Sequence, residues 1–302
     1  MNPKVSTMSD TKTGLSNSGK NRAKIGVVLG GGGLKALASI SLFKFLDQQG
    51  LEPDFIAGCS AGALVAAMRG AGFSIEKMQD IAFEMANSKL FTEINPKAVM
   101  GIAGLPGFPF NNESGLMNSS RLRAQYRKWF GDLQLEDLSP NTILSATDVV
   151  EGEAAVLRSG NVADAVYASG ALWPLFAPAE FEGRTLIDGG YSMPLPIYEA
   201  IKAGMDVIIA MIFDERPNPN PKSFSGCLNN QINTMLRSLS RSQTAMAIDM
   251  HHYETILIQF TMEPPDGMSE ESVPFVLETG RRMVSKNAGP ILRAVQDFKP
   301  QY

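Results

Sequence analysis

The chain has 302 residues, 44% of them hydrophobic, which is enough to bury one large α/β core. Its formal net charge of −4 and pI of about 5.4 argue against a nucleic-acid partner and leave no polybasic handle on anionic lipid, so any lipid contact has to be apolar. Two cysteines, Cys59 and Cys227, give no disulfide framework, and no His, Cys, Asp or Glu cluster has metal-ligand spacing; the expectation is a cytoplasmic protein with no metal and no cofactor.

Residues 1–23 are rich in Ser, Thr, Asn and Lys, contain no apolar run, and read as a disordered tail without a secretory signal. Residues 24–302 alternate strand and helix patterns without a polar linker, as a single α/β domain does. The first strand pattern, residues 25–29, empties into Gly30-Gly31-Gly32-Gly33-Leu34-Lys35 and then a helical pattern through Leu37, Ile40, Phe43, Phe45 and Leu46, stopping at Gly50. Strand, glycine loop and helix together expose backbone N–H groups at a helix N-terminus, where a phosphate or a developing oxyanion can be held. The nucleotide readings fail on detail. A P-loop needs Gly-Lys-Ser/Thr, and here Lys35 precedes Ala36; a dinucleotide fingerprint needs an acid at the end of the next strand.

That next strand, residues 54–57, runs instead into Gly58-Cys59-Ser60-Ala61-Gly62 and an Ala-rich helix over 61–69. A serine on a sharp strand-to-helix turn projects its hydroxyl from the sheet edge beside the positive end of a helix, so Ser60 is the candidate nucleophile. Gly58 and Gly62 suit such an elbow because side chains there would collide across it or demand a costly backbone conformation. Cys59 reads as a small buried filler. Residues 98–110 are uncharged, apolar and broken by glycine and proline, too short to span a bilayer. Their Leu105, Phe108 and Phe110 suit a flap over an acyl pocket or a surface for a second subunit, the plainer reading being a buried loop. Further on, Leu186-Ile187-Asp188-Gly189-Gly190 ends a strand in an aspartate backed by two glycines, the best candidate for a base. Beyond Phe213 come a proline-punctuated loop, a helix over 228–250, a strand over 255–260 and a helical stretch over 270–295 that finish the fold.

Four segments carry a resemblance: VVLGGGGLKALASISLFKFL, PDFIAGCSAGALVAAM, ILSATDVVEGEAAVLRSGNVADAVYASGALWPLF and EGRTLIDGGYSMPLPIYEAIKAGMDVIIAMIF. They cover most of residues 25–213, and with them the chain resembles the patatin-like phospholipase family, closely so its bacterial members. The resemblance implies a three-layer α/β/α sandwich with a mostly parallel central sheet. It also implies a serine–aspartate dyad that hydrolyses lipid acyl esters without a catalytic histidine. Carried over by position, it puts the nucleophile at Ser60, the base at Asp188, the oxyanion hole on the backbone of Gly31, Gly32 and Gly33, and the family's basic residue at Lys35. The segment holding Trp173 and Phe176 would line the active site as a second apolar wall. The implied partner is a lipid or long-chain acyl ester, with peripheral contact at the inner face of a membrane and homo-oligomer formation as further expectations.

Two departures matter. Lys35 stands where arginine is commoner, keeping charge but losing bidentate geometry. Ala36 stands where relatives carry glycine; it suits a position already helical and would distort the hole if a positive φ were needed. The alternatives are a non-catalytic lipid-sensing regulator or scaffold on the same fold, a nucleotide-binding α/β protein, and an α/β-hydrolase triad completed by His251 or His252. An elbow after only the second strand argues against the triad, and both histidines read as a helix C-terminus.

Overall fold

The computed structural model describes residues 22–87, 90, 93–109, 111, 113–213, 217–260 and 271–299. Of the expected tail, residues 1–21 lie outside these, as does Phe110 of the expected flap. Arg22 and Ala23 are described and do not behave as a tail: the Arg22 guanidinium donates to Asp54 at 2.7 Å, and Ala23 is buried.

In chain order the elements are β1 (Ile25–Leu29), α1 (Ile40–Gln48), β2 (Phe55–Cys59), α2 (Ala61–Gly70), α3 (Ile75–Asn87), α4 (Pro96–Ile102), α5 (Ser119–Phe130), β3 (Asn141–Asp148), β4 (Glu153–Leu157), α6 (Val162–Ser169), β5 (Ala179–Phe181), β6 (Arg184–Asp188), α7 (Ile197–Lys202), β7 (Val207–Ile212), α8 (Phe224–Met250), β8 (Thr255–Gln259) and α9 (Ser272–Gln296). The strands form a sheet in the order β5-β6-β3-β2-β1-β7-β8, with β4 on the other edge of β3. Its centre is parallel: β3, β2, β1, β7 and β8 pair in one direction, while β4, β5 and β6 add antiparallel pairings. Central strands buried on both faces are apolar throughout, which is why β1 and β7 read as continuous hydrophobic runs.

Side chains leave β1 and β7 alternately toward two cores. Val27, Leu29, Ile209 and Met211 join the larger core with Phe43 of α1, Leu64 of α2 and Val276 of α9. Val28, Ile208 and Ala210 join a second core with Ile197 and Ala200 of α7 and Ala247 of α8. The result is a helix–sheet–helix sandwich, the expected fold class.

The helix expected from residue 37 onward starts differently. Gly33–Ser39 winds as a 3-10 helix, and α geometry begins only at Ile40. The segment is pressed against α9, where a Cβ on Gly280 would come within 2.5 Å of the Ala38 carbonyl oxygen. Short 3-10 stretches are common at helix entrances, and the tighter winding suits a confined lane.

The sheet register brings two distant strand ends together. On one edge of β3, β2 runs parallel and finishes with Cys59 opposite Ser145. On the same edge, β6 arrives antiparallel and finishes with Asp188 opposite Ala146, while β4 occupies the opposite edge. Strands β2 and β6 therefore meet end to end in a single lane.

Candidate active site

Ser60 follows β2 directly and caps α2, with φ 53° and ψ −125°. This is the left-handed side of backbone space, rare for a residue with a side chain. Two glycines make the turn sterically feasible. A Cβ at Gly58 would lie 2.6 Å from the Ala63 Cα, and one at Gly62 would lie 2.5 Å from the Gly30 carbonyl oxygen. Gly58 thus lets α2 fold back over β2, and Gly62 lets the same helix rest on the end of β1.

The meeting of strand ends puts the Ser60 hydroxyl 2.6 Å from Asp188 Oδ2, to which it donates. The other carboxylate oxygen accepts the Gly190 N–H at 2.7 Å, and the Thr147 hydroxyl donates to the Asp188 carbonyl at 2.8 Å. A side chain at Gly189 would collide with Ser145, so the paired glycines behind the aspartate let the turn lie against β3. Asp188 is 4% exposed, and burial pushes its pKa up to about 6 against the pull of the Ser60 and Gly190 hydrogen bonds, which favour the ionised form. Such a carboxylate is ionised at neutral pH yet takes up a proton more readily than an exposed one.

The glycine loop lies beside this pair. Gly30 donates its N–H to the Met211 carbonyl at 3.0 Å, and Gly31 donates to the Pro194 carbonyl at 3.3 Å. Gly31, expected as an oxyanion donor, thus has an acceptor inside the protein, because the turn holding Pro194 runs alongside it. Gly32 and Gly33 open the 3-10 helix, where N–H groups have no intrahelical acceptor. A side chain on Gly32 would collide with Phe213, and one on Gly33 would be strained at φ +55°. Ala36 is inside that helix, buried, and has no positive φ, so the departure from glycine leaves the loop undistorted.

Lys35, Ser60, Asp188 and the four glycines line a cleft of about 290 Å³. The cleft is also lined from later in the chain, by Ile212 at the end of β7, Phe213 just after it, and Asn233, Leu236, Arg237 and Ser240 of α8. From the segment expected to supply an apolar wall, Leu172 lines the cleft, whereas Trp173 and Phe176 do not. Phe176 is buried in the larger core, and Trp173 is partly exposed with its carbonyl accepting from the Tyr191 hydroxyl at 2.8 Å. Leu105 and Phe108 do not line the cleft either; with Val99 and Ile102 they are exposed, which excludes the buried-loop reading.

His251 does not approach Ser60. It caps the C-terminal end of α8, with its ring between the Thr255 hydroxyl at 2.9 Å and the Met205 carbonyl at 3.0 Å. Those partners mark where β8 and β7 begin, the opposite end of the parallel sheet from the elbow. His252 borders a separate depression with Asp206 and Pro290. Among the described residues, no group of His, Cys, Asp and Glu could hold a metal ion, and no helix is long and apolar enough to cross a membrane.

Sequence reasoning missed Ser169, whose hydroxyl accepts the Ser60 N–H at 2.9 Å, and the residues of α8 in the cleft. The one sequence signal for Ser169 is a serine closing an otherwise mostly apolar helix, VADAVYAS.

A family model described as patatin-like phospholipase matches residues 27–201. The chain is 26% identical over 207 residues to Lysophospholipase NTE1 of Scheffersomyces stipitis, covering 68% of this chain and 13% of that protein. It is 29% identical over 208 residues to Lysophospholipase nte1 of Emericella nidulans, covering 67% and 13% respectively. With the Uncharacterized NTE family protein Mb1092c of Mycobacterium bovis, identity is 25% over 223 residues, 74% of this chain and 58% of that protein. Among solved structures, human GIVD cytosolic phospholipase A2 aligns with a TM-score of 0.49 at 12% identity, covering 91% of this chain and 62% of that one. The chain spans about an eighth of the length of the fungal relatives it matches.

Proposed function

Because the chain belongs to the patatin-like phospholipase family, we propose that it is a lipid acyl hydrolase in which Ser60 is the nucleophile and Asp188 its general base. The observation that carries this reading is the 2.6 Å hydrogen bond from the Ser60 hydroxyl to a buried carboxylate, made at a positive-φ elbow beside a glycine loop. The names of the fungal relatives support lipid as the acyl donor.

Ser60 Oγ attacks the ester carbonyl carbon, a new O–C bond forms, and the carbonyl π electrons move to oxygen while the hydroxyl proton passes to Asp188 Oδ2. The Gly32 and Gly33 N–H groups receive the oxyanion; each such donor is worth about 2.7–4 kcal/mol in comparable sites. Collapse of the tetrahedral species breaks the ester C–O bond, and the departing alkoxide takes the proton from Asp188. Water, losing its proton to the same carboxylate, then attacks the acyl-serine, and Ser60 recovers its proton as the fatty acid leaves. The exposed apolar side chains of Val99, Ile102, Leu105 and Phe108, together with the net negative charge of the chain, favour apolar contact with a lipid aggregate.

Fluorophosphonate labelling with mass-spectrometric site mapping tests the assignment. Label is expected on Ser60 in the wild type and in a His251→Ala/His252→Ala double variant, and its loss in Ser60→Ala and Asp188→Asn. An unlabelled, well-folded wild type would overturn the catalytic reading in favour of a lipid-sensing protein on the same fold.

A further inference from the structure

We propose that Ser169 is a positioning residue for Ser60: its hydroxyl clamps the positive-φ elbow and thereby sets the direction of the nucleophile's oxygen. The proposal rests on Ser60 being the nucleophile. Ser169 is fully buried at the end of α6, 109 residues along the chain from the serine it touches. Its Oγ accepts the Ser60 N–H at 2.9 Å and donates to the Ser145 carbonyl at 2.6 Å.

A hydroxyl has a single hydrogen. With that hydrogen committed to Ser145, Ser169 can only accept from Ser60, so the polarity of the contact is fixed and the Ser60 amide is held inside the protein. The Ser145 carbonyl belongs to the β3 residue paired with Cys59, next to Ala146, which pairs with Asp188. One hydroxyl therefore ties the strained residue to the strand that locates both members of the pair.

Removing it leaves the Ser60 N–H and the Ser145 carbonyl without this partner in a buried setting. Nothing about a serine side chain favours φ 53°, so the backbone gains by relaxing toward negative φ, and that rotation carries Oγ away from Asp188. A serine that merely filled space would lower stability and leave the reacting geometry alone. Thr142 is a suitable control for that case: it is buried, its hydroxyl donates to the Pro140 carbonyl at 2.8 Å, and it lies near the start of β3, away from the elbow.

The test compares the wild type with Ser169→Ala, the nearly isosteric Ser169→Cys, and Thr142→Val, measuring fluorophosphonate labelling of Ser60 across pH together with melting temperature. Ser169→Ala and Ser169→Cys are expected to label about 10- to 100-fold more slowly, the loss appearing in the maximal rate and not in probe affinity. Their pH midpoint is expected to rise, since the Ser60 hydrogen bond favours the ionised Asp188. Thr142→Val is expected to lose thermal stability while keeping the wild-type rate and midpoint. If folded Ser169→Ala and Ser169→Cys label at the wild-type rate with an unmoved midpoint, the proposal is wrong while the nucleophile assignment stands. Absence of label on the wild-type Ser60 would instead remove both.

Discussion

Asp188 has to ionise in a place that resists ionisation, and its pKa of about 6 records the outcome. Its ordinary value, 3.8, applies to the unfolded chain, so the folded state binds this proton more tightly. The associated stability is fully present below the lower value and is lost as pH rises through about 6; at neutral pH the ionised carboxylate costs the fold up to about 3 kcal/mol. Asp188→Asn is therefore expected to unfold at higher urea than the wild type at pH 8, with the advantage shrinking toward pH 4, even as it abolishes labelling. The wild-type labelling rate should rise through the same region, as Asp188 becomes the base form. Ser60 and Asp188 were legible in the sequence because their neighbours are steric requirements: G-x-S-x-G and D-G-G are small for reasons that survive without coordinates. The partner of the Gly31 N–H was not readable, because it is the Pro194 carbonyl, supplied by a turn more than a hundred residues later. Ser169 was invisible for the same reason, since its partner lies 109 residues away and no local pattern encodes the contact.

In the proposed mechanism, the element that matters most outside the elbow is the 3-10 helix that presents Gly32 and Gly33. It is held down by α9 through Gly280, where a methyl would meet Ala38 at 2.5 Å from its carbonyl oxygen. Gly280→Ala is expected to push the glycine loop out of line, costing about 1–3 kcal/mol of stability and slowing Ser60 labelling although neither Ser60 nor Asp188 is touched. Denaturant unfolding and the labelling rate, read on the same sample, check this. Hydrophobic periodicity revealed β1, β2, β7, α2 and α8 because each is long or uniformly buried. It did not reveal the change from 3-10 to α winding at Ile40, which is set by neighbouring helices and not by local propensity. It also passed over α4, although Pro96 in the first turn and the Asn95 cap, which accepts from the Ala98 N–H at 3.4 Å, were both readable start signals.

At the scale of the molecule, the family match stops at residue 201, yet the sheet does not. β7 pairs along the full length of β1, and Phe213 and α8 contribute to the lining of the cleft that holds the glycines. A chain ending at Lys202 is expected to lose cooperative unfolding and to be proteolysed rapidly, because β1 would become an unpaired apolar edge with its glycine loop unsupported. A truncation that melts cooperatively and labels at Ser60 would contradict this. The shared lane on β3 has a different kind of consequence. Cys59, which leads directly into Ser60, and Asp188 pair with adjacent residues of β3, so the separation of Ser60 and Asp188 is governed by hydrogen-bond register and is insensitive to the length of the chain between them. Evolution, or an engineer, can therefore lengthen the exposed turn at Glu182 and Gly183, or rebuild loops that meet substrate, without retuning the reactive pair. Inserting a short Gly-Ser segment in that turn should leave the labelling rate at its wild-type value, and the chemistry would behave as an inheritance that specificity loops can be rewritten around.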